Sequence, residues 1–247
     1  MYKLRLKFYK KDDMVFISHL DLIRLFERAF RRSGIPISYT QGFNPRPIMA
    51  FATALGIGVS SDSEYMDIEI EDKMDVIDLI TKLNEVLPTG IKALEGKYID
   101  KKEKSLMSII NFSSYTVDIT FNNEITRDNL ENKLKEFLGL NEIIDKKYKK
   151  RRNKRKSNKD EFREVNIRQN IKEITIINTD INRALLKMIL AAGSSANLKP
   201  EIVIEKFKDY MKLDIDTTKT RVHRTGLFTT ITPEYLGPLD IVNTEDK

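Results

Sequence analysis

The sequence contains no cysteine and only two histidines, His19 and His223. Without cysteine the chain forms no disulfide, has no thiolate nucleophile, and cannot hold zinc or an iron–sulfur cluster through sulfur. Two histidines are also too few for a self-contained transition-metal site of the common kinds. We therefore expect neither a metal nor any other cofactor bound by this chain alone.

Long hydrophobic runs are also missing. No apolar stretch approaches the roughly 20 residues needed to span a bilayer. The N-terminus alternates charged and apolar residues, which is unlike a signal peptide. The sequence therefore predicts a protein with no membrane partner and a cytoplasmic location. Its 247 residues exceed the usual single-domain length of about 100–150, so two modest domains are expected.

The positive charge is concentrated in one place. Residues 146–159 contain ten basic and no acidic side chains, and subtracting this +10 from the net charge of +6 leaves −4 for the rest of the chain. A block of like charge cannot pack into a core, so we predict a disordered or extended insertion at about 146–160. It is either a solvated loop without a partner or a contact for nucleic-acid phosphates, through Lys149, Lys150, Arg151 and Arg152. A membrane surface is a third reading.

A strongly amphipathic helix is predicted over residues 18–33. Ser18 is placed to cap it, Asp21 lies three residues further on, and Gly34 followed by Pro36 ends it. Apolar residues recur at spacings of three and four on one side, namely Leu22, Ile23, Phe26, Ala29 and Phe30. Arginines gather on the other side at Arg24, Arg28, Arg31 and Arg32. One face should join the core while the other is cationic.

The order of predicted elements indicates an α+β fold. In the first half, strands alternate with the helix above and a second helix at 74–87 in the order β-α-β-β-α-β. The second half shows the same order around the basic insertion. We therefore predict two tandem ferredoxin-like (βαββαβ) units with antiparallel sheets, similar to RAMP proteins. Their predicted bounds are 1–99 for the first unit, 100–112 for a linker, 113–230 for the second unit and 231–247 for a C-terminal tail.

A turn-rich loop, Gln41–Pro47, follows the first helix. It is either an ordered connector or a recognition loop in which Phe43 stacks on a base and Arg46 meets a phosphate. If the loop packs back over the start of the helix, a binding surface results. Its predicted members are His19, Arg24, Arg28, Gln41, Phe43, Asn44 and Arg46. In the opposing interpretation, Asp21 and Glu27 neutralise the arginines and Phe43 fills the core. Arg221 and Arg224 are further candidates, expected to be exposed on the last strand.

Four segments resemble the signature of the radical SAM-linked protein family, a domain of unknown function found beside or fused behind a radical SAM protein. They are Phe16–Leu22, Glu27–Arg32, Tyr39–Pro45 and Ser63–Asp67. The likeness is dense over residues 1–90 and sparser at Lys199–Glu201 and Arg221–Phe228. The family commonly has histidine between the two prolines of the loop, where this chain has Arg46. The resemblance implies a radical SAM partner and a genomic setting near ribosomal protein and ribonuclease E/G genes.

Three functions remain open. The first is a non-catalytic RNA-binding or substrate-presenting accessory of a radical SAM enzyme, working in RNA or ribosome modification or maturation, since a chain without cysteine cannot generate the radical itself. The second is a protein-interaction subunit without nucleic-acid contact. The third is a metal-independent endoribonuclease using His19, because the predicted fold also resembles the repeat-processing endoribonucleases of CRISPR systems, whose histidine lies near the first helix.

Overall fold

The computed structural model describes residues 1–148, 162–230 and 234–242. It has a mixed α+β fold with a large, mostly antiparallel sheet. The strands are β1 Tyr2–Lys10, β2 Met49–Phe51, β3 Ser60–Ile70, β4 Ile91–Ile99, β5 Phe112–Thr120, β6 Ile144–Tyr148, β7 Phe162–Asn166, β8 Ile171–Asp180, β9 Arg183–Ala191 and β10 Arg221–Phe228. The helices are α1 His19–Ser33, α2 Val76–Val86, α3 Leu106–Ile109, α4 Arg127–Gly139 and α5 Pro200–Met211. No helix among the described residues is long and apolar enough to cross a bilayer.

The chain divides into two compact units. Unit 1 comprises residues 1–116, 192–196 and 221–247, and unit 2 comprises residues 117–191 and 197–220. This division differs from the predicted domains because β10, expected to close the second domain, belongs to unit 1. The physical reason is that β10 pairs with β3 in parallel, with His223 opposite Ser60 and Arg224 opposite Ser61.

The strands of unit 1 follow the order β4-β1-β3-β10-β5, and β2 also pairs with β3. The pairs β1–β3, β1–β4 and β2–β3 are all antiparallel. The β-α-β-β-α-β order predicted for the first half is therefore present. Residues 35–39, which also read as a short strand from their sequence, contribute only isolated bridges at Ile37 and Tyr39, and Met49–Phe51 forms the second strand instead.

Helix α1 begins and ends as its sequence predicts. The Ser18 hydroxyl accepts a hydrogen bond from the backbone N–H of Asp21 at 3.2 Å, and Gly34 adopts the left-handed conformation with φ of 68°. The buried side chains of α1 are Leu22, Phe26, Ala29 and Phe30. With Leu79 and Leu83 of α2 they cover the face of the sheet formed by Leu4, Leu6, Phe8, Met66, Ile68 and Ile70.

The opposite face of the unit 1 sheet is also covered. A second apolar cluster contains Tyr65, Leu106, Ile110, Leu227 and Leu239. The predicted linker thus contributes α3 to a core. The described part of the predicted tail also packs against this unit, since Leu239 is buried and the carbonyl of Pro238 accepts a hydrogen bond from Arg5 at 3.1 Å.

Unit 2 contains the end of β5, the strands β9 and β8 that follow it in the sheet order, and the helices α4 and α5. The rings of Phe137 and Phe207 join the two helices at a centroid distance of 5.1 Å. Strands β6 and β7 form a separate antiparallel pair, with Ile144 opposite Asn166. Strand β6 includes residues 146–148 of the predicted basic insertion, and β7 follows it. Lys149, Lys150, Arg151 and Arg152 lie outside the described residues.

Candidate nucleic-acid interface

The loop of residues 41–46, all in unit 1, is closed at its base by hydrogen bonds. The N–H of Thr40 donates to the carbonyl of Arg46 at 2.9 Å, and the N–H of Arg46 donates to the hydroxyl of Thr40 at 3.1 Å. Tyr39 and Pro47 form a bridge just below. Gly42 has a φ of 125°, which an L side chain rarely adopts. The loop therefore has a defined shape set by its own backbone.

Phe43 stands at the exposed tip of this loop. Its relative accessibility is 106%, the highest of the exposed large hydrophobic side chains. Gln41, Asn44 and Arg46 are exposed as well. The interpretation in which Phe43 fills the core is therefore wrong. That the loop packs back over the start of α1 stays a prediction, and every residue from 41 to 46 is open to solvent.

At the start of α1, the polar groups are largely satisfied locally. The Ser18 hydroxyl donates to the Asp21 carboxylate at 2.7 Å, and this bond lowers the pKa of Asp21. Asp21 also pairs with Arg24 at 3.4 Å, so the neutralisation predicted for this arginine is present. His19 lies edge-on to Phe51 at 5.5 Å between ring centroids. Among the described residues, its imidazole makes no hydrogen bond.

Further along α1, three arginines remain without carboxylate partners among the described residues. Arg28, Arg31 and Arg32 line an open groove of about 540 Å³, together with Leu25, Val86 and Pro88. The Arg32 guanidinium donates to the carbonyl of Val86, the last residue of α2. Glu27, predicted to neutralise the arginines, forms no ion pair with any of these three. Arg28 therefore lines a groove between α1 and α2, whereas Phe43 lies in the loop of residues 41–46.

Arg224 lies in the interior, which corrects the prediction that it is exposed. The residue is 4% exposed, and its guanidinium donates to the Glu64 carboxylate at 2.8 Å, the Thr53 hydroxyl at 3.1 Å and the Tyr115 hydroxyl at 3.2 Å. Burial lowers the pKa of Arg224, but the neighbouring Glu64 and Tyr115 raise it more. Arg224 thus cannot reach a phosphate. Arg221, on the same strand, is exposed as predicted.

A hydrogen-bonded chain at the β3–β10 pairing is a feature that the sequence does not predict. Ser60 Oγ lies 2.8 Å from His223 Nδ1, and His223 Nε2 lies 2.8 Å from Asp62 Oδ2. Lys11 Nζ pairs with the other oxygen of Asp62 at 2.5 Å. Burial raises the pKa of Asp62, while hydrogen bonds from Lys11 and His223 lower it to a net value below the ordinary one. These contacts join the last strand to β3.

Local sequence carries no signal for this cluster. His223 follows Asp62 by 161 positions, and only the parallel register of β10 against β3 brings them together. Neither strand carries a motif that predicts the pairing. No group of three or more histidine and acidic residues suited to a metal ion occurs in the part of the chain that the structure describes.

An exposed apolar patch lies in unit 1 where α1 begins. It consists of Phe16, Leu20 and Ile57, whose relative accessibilities are 69%, 64% and 65%. The N–H of Gly58 donates to the carbonyl of Val15 at 2.8 Å, which places Ile57 beside the turn preceding α1. Clustered exposed apolar side chains of this kind often mark a contact with another molecule.

The structure thus defines an α+β protein with a large, mostly antiparallel sheet, an exposed aromatic loop and an arginine-lined groove. The chain belongs to the family DUF2344, described as an uncharacterized protein conserved in bacteria, whose model matches residues 3–200. No curated protein sequence matches it.

Several solved structures are similar to this chain. A chain of the Cbf5–Nop10–Gar1 complex has a TM-score of 0.48 at 10% identity, over 91% of this chain and 48% of that chain. A chain of the archaeal box H/ACA sRNP Nop10–Cbf5 complex has a TM-score of 0.47 at 12% identity, over 90% and 46% of the two chains. This protein spans about half the length of these two chains. An unknown protein from Galdieria sulphuraria has a TM-score of 0.25 at 11% identity, over 87% and 96%.

Proposed function

We propose that this protein binds single-stranded RNA without cleaving it and acts as an accessory of a radical SAM enzyme, in RNA or ribosome modification or maturation. The observation that carries the RNA-binding part is the loop of residues 41–46, which holds Phe43 fully exposed beside the exposed side chains of Gln41, Asn44 and Arg46. A base stacks on the ring of Phe43 while Arg46 contacts an adjacent phosphate.

The fully exposed ring of Phe43 contributes no burial to the fold. An aromatic ring on a preshaped loop provides a stacking platform for any base, and stacking is worth about 1–3 kcal/mol per base. The hydrogen bonds between Thr40 and Arg46 hold the loop before the ligand arrives, so binding requires little further ordering. Amide side chains at Gln41 and Asn44 supply donors and acceptors for base edges.

The radical SAM partner is proposed from the four sequence segments that resemble the radical SAM-linked family. The absence of cysteine agrees with a division of labour in which the partner holds the cluster and this chain presents the substrate. The tandem ferredoxin-like architecture is part of the same proposal, with the second half built around β5, β8, β9 and β10.

The test measures affinity for a fluorescent single-stranded RNA of about 12 nucleotides, a length within the usual site size of such proteins. Phe43→Ala should weaken binding by about 1–3 kcal/mol without lowering the melting temperature, and Phe43→Trp should retain binding. Arg46→Ala should also weaken binding. Phe16→Ala, which removes an exposed ring outside the loop, is the matched control. Unchanged affinity of Phe43→Ala would remove the loop from the RNA site.

The apolar patch of Phe16, Leu20 and Ile57 favours a second candidate, a protein-interaction subunit. In that case Phe16→Ala and Leu20→Ala should reduce co-purification with the radical SAM partner, while Phe43→Ala should not. If the protein instead cleaves RNA, products ending in a 2′,3′-cyclic phosphate should appear and should disappear with His19→Ala. The three readouts separate the three functions.

A further inference from the structure

The groove between α1 and α2 gathers three arginines at one place. Arg28 precedes Arg31 by three positions and Arg32 by four, so their side chains are neighbours on one face of α1. All three line the same space of about 540 Å³. This volume lies within the range of about 300–1,000 Å³ that is typical of small-molecule sites.

No carboxylate among the described residues pairs with any of the three guanidiniums. Glu27, on the same helix, and Glu85, next to Val86, form no ion pair with them. Arg24, one turn earlier on the same helix, is paired with Asp21. Like charges at this spacing oppose helix formation. Arg31 and Arg32 lie in the last turn of α1, where the helix dipole favours cations, but no carboxylate among the described residues neutralises the three charges.

The remaining wall of the groove is apolar. Leu25 of α1 and Val86 and Pro88 at the end of α2 provide it. Arg32 is fixed by its bond to the Val86 carbonyl, yet a guanidinium has five N–H donors and most of those of Arg32 remain free for a ligand. A cluster of cations beside an apolar wall can bind a ligand in which a concentrated negative charge is joined to a flat or apolar group.

We infer that this groove binds a nucleoside through a phosphate group carrying two or more negative charges, with the three arginines on the phosphate and the nucleoside against Leu25, Val86 and Pro88. A phosphodiester inside an RNA strand carries a single charge, which one arginine can match. Three arginines on one space match a terminal phosphate or a polyphosphate, through bidentate contacts of the kind that arginine makes with phosphate. Such a group occurs on a free nucleotide and on the 5′ end of an RNA.

This inference does not depend on the loop of residues 41–46. A free nucleotide would bind the groove whether or not Phe43 stacks on RNA, and the two sites carry different residues. Nucleotide binding at the groove and RNA binding at the loop can therefore be confirmed or excluded separately.

Calorimetric titration of the full chain would use ATP, AMP, adenosine and inorganic pyrophosphate as one set of probes. The second set would be one oligonucleotide of about 12 residues carrying either a 5′-phosphate or a 5′-hydroxyl. We expect ATP to bind more tightly than AMP, adenosine not to bind, and pyrophosphate to bind more weakly than ATP because it lacks the nucleoside. Arg28→Ala and Arg31→Ala should each lower ATP affinity about tenfold or more. Arg24→Ala is the matched control and should leave it unchanged.

The oligonucleotide pair identifies the source of the phosphate. Tighter binding of the 5′-phosphate form, lost in Arg28→Ala and kept in Phe43→Ala, assigns the groove to RNA ends, whereas equal binding of both forms with retained ATP binding assigns it to free nucleotide. The inference is overturned if no phosphate probe binds at millimolar concentration, or if Arg24→Ala weakens binding as much as Arg28→Ala. It is also overturned if polyglutamate binds with the same dependence on Arg28 and Arg31, because the groove would then be a docking surface for acidic protein segments.

Discussion

Arg224 and Glu64 form a buried ion pair in the interior of unit 1, with side-chain accessibilities of 5% and 4%. Thr53 and Tyr115 complete the hydrogen bonding of the guanidinium at its two terminal nitrogens, while its Nε remains without a partner among the described residues. Arg5 and Asp67 form a similar pair at 2.8 Å. Charges held in this way are costly to separate, because removing one partner leaves the other buried and uncompensated.

Replacing Arg224 by methionine should therefore destabilise the protein by about 3–5 kcal/mol, since Glu64 is left as an unpaired buried carboxylate. The double variant Arg224→Met/Glu64→Leu removes both charges and should be more stable than the single variant. Urea unfolding measures both free energies. If the single and double variants lose the same stability, the contribution of Arg224 lies in its packing and not in its pairing with Glu64.

The cluster of Lys11, Asp62 and His223 predicts a pH dependence. The pKa of the Asp62 carboxyl lies below the ordinary 3.8, so this group releases its proton more readily in the folded chain than in the unfolded one. Its ionised form thus adds stability above about pH 4, and this contribution disappears as the pH falls through the lowered folded-state pKa. The gain should stay under about 1 kcal/mol, because the Asp62 side chain is half exposed.

Asp62→Asn should accordingly be less stable than the natural protein near neutral pH, and the difference should shrink below about pH 4. Unfolding by urea at a series of pH values measures it. Asp72→Asn is the control, since Asp72 is exposed and forms no ion pair among the described residues. A difference that stays constant down to about pH 2 would show that Asp62 does not act through its charge.

At the scale of elements, the hydroxyl of Ser18 caps the N-terminus of α1. Ser18→Ala removes the acceptor for the N–H of Asp21 and should cost about 1 kcal/mol. Ser105 precedes α3 in the same position but makes no side-chain capping bond, so Ser105→Ala is a matched control that should change stability little. Thermal unfolding of both variants provides the comparison. Equal losses would mean that the cap of α1 does not contribute.

The local elements can be predicted because their signals are local. The apolar spacing of Leu22, Phe26 and Phe30 with the cap at Ser18 predicts α1 almost to the residue. The alternation of polar and apolar residues along β3 predicts that one face of this strand is exposed. Tyr65 and Asp67 lie on that face, yet each is only 4% exposed. The covering groups come from distant parts of the sequence, so alternation along the strand cannot reveal them.

The loop around Phe43 and the last strand with Arg224 also differ in how far the sequence predicts them. The composition of the loop around Phe43 predicts a turn but leaves open whether Phe43 packs inward, and in the structure its ring is exposed. The partner of Arg224 could not be predicted, because Glu64 precedes it by 160 positions and no local pattern marks their pairing. Sequence places the charged residues on elements, whereas long-range pairing decides which of them reach solvent.

At the scale of the whole molecule, the uneven charge bears most directly on RNA binding. With +10 in residues 146–159 and −4 elsewhere, attraction to a polyanion depends on the basic run more than on net charge. Each phosphate neutralised on a single strand releases counterions and contributes about 0.7 to the slope of log affinity against log salt. The number of phosphates that the run neutralises can thus be read from that slope.

Replacing Lys149, Lys150, Arg151 and Arg152 by serine should flatten the salt slope of RNA binding by about 0.7 for each phosphate that is no longer neutralised, and by about 2.8 if all four side chains bind phosphates. The control variant replaces four exposed lysines, Lys82, Lys92, Lys101 and Lys102, by serine, which removes the same net charge from unit 1. Affinity for single-stranded RNA is measured from about 50 to 200 mM salt, with thermal unfolding alongside to confirm that each variant folds. Equal slopes for the two variants would show that the run acts only through net charge. An unchanged slope in the first variant would exclude the run from the RNA contact.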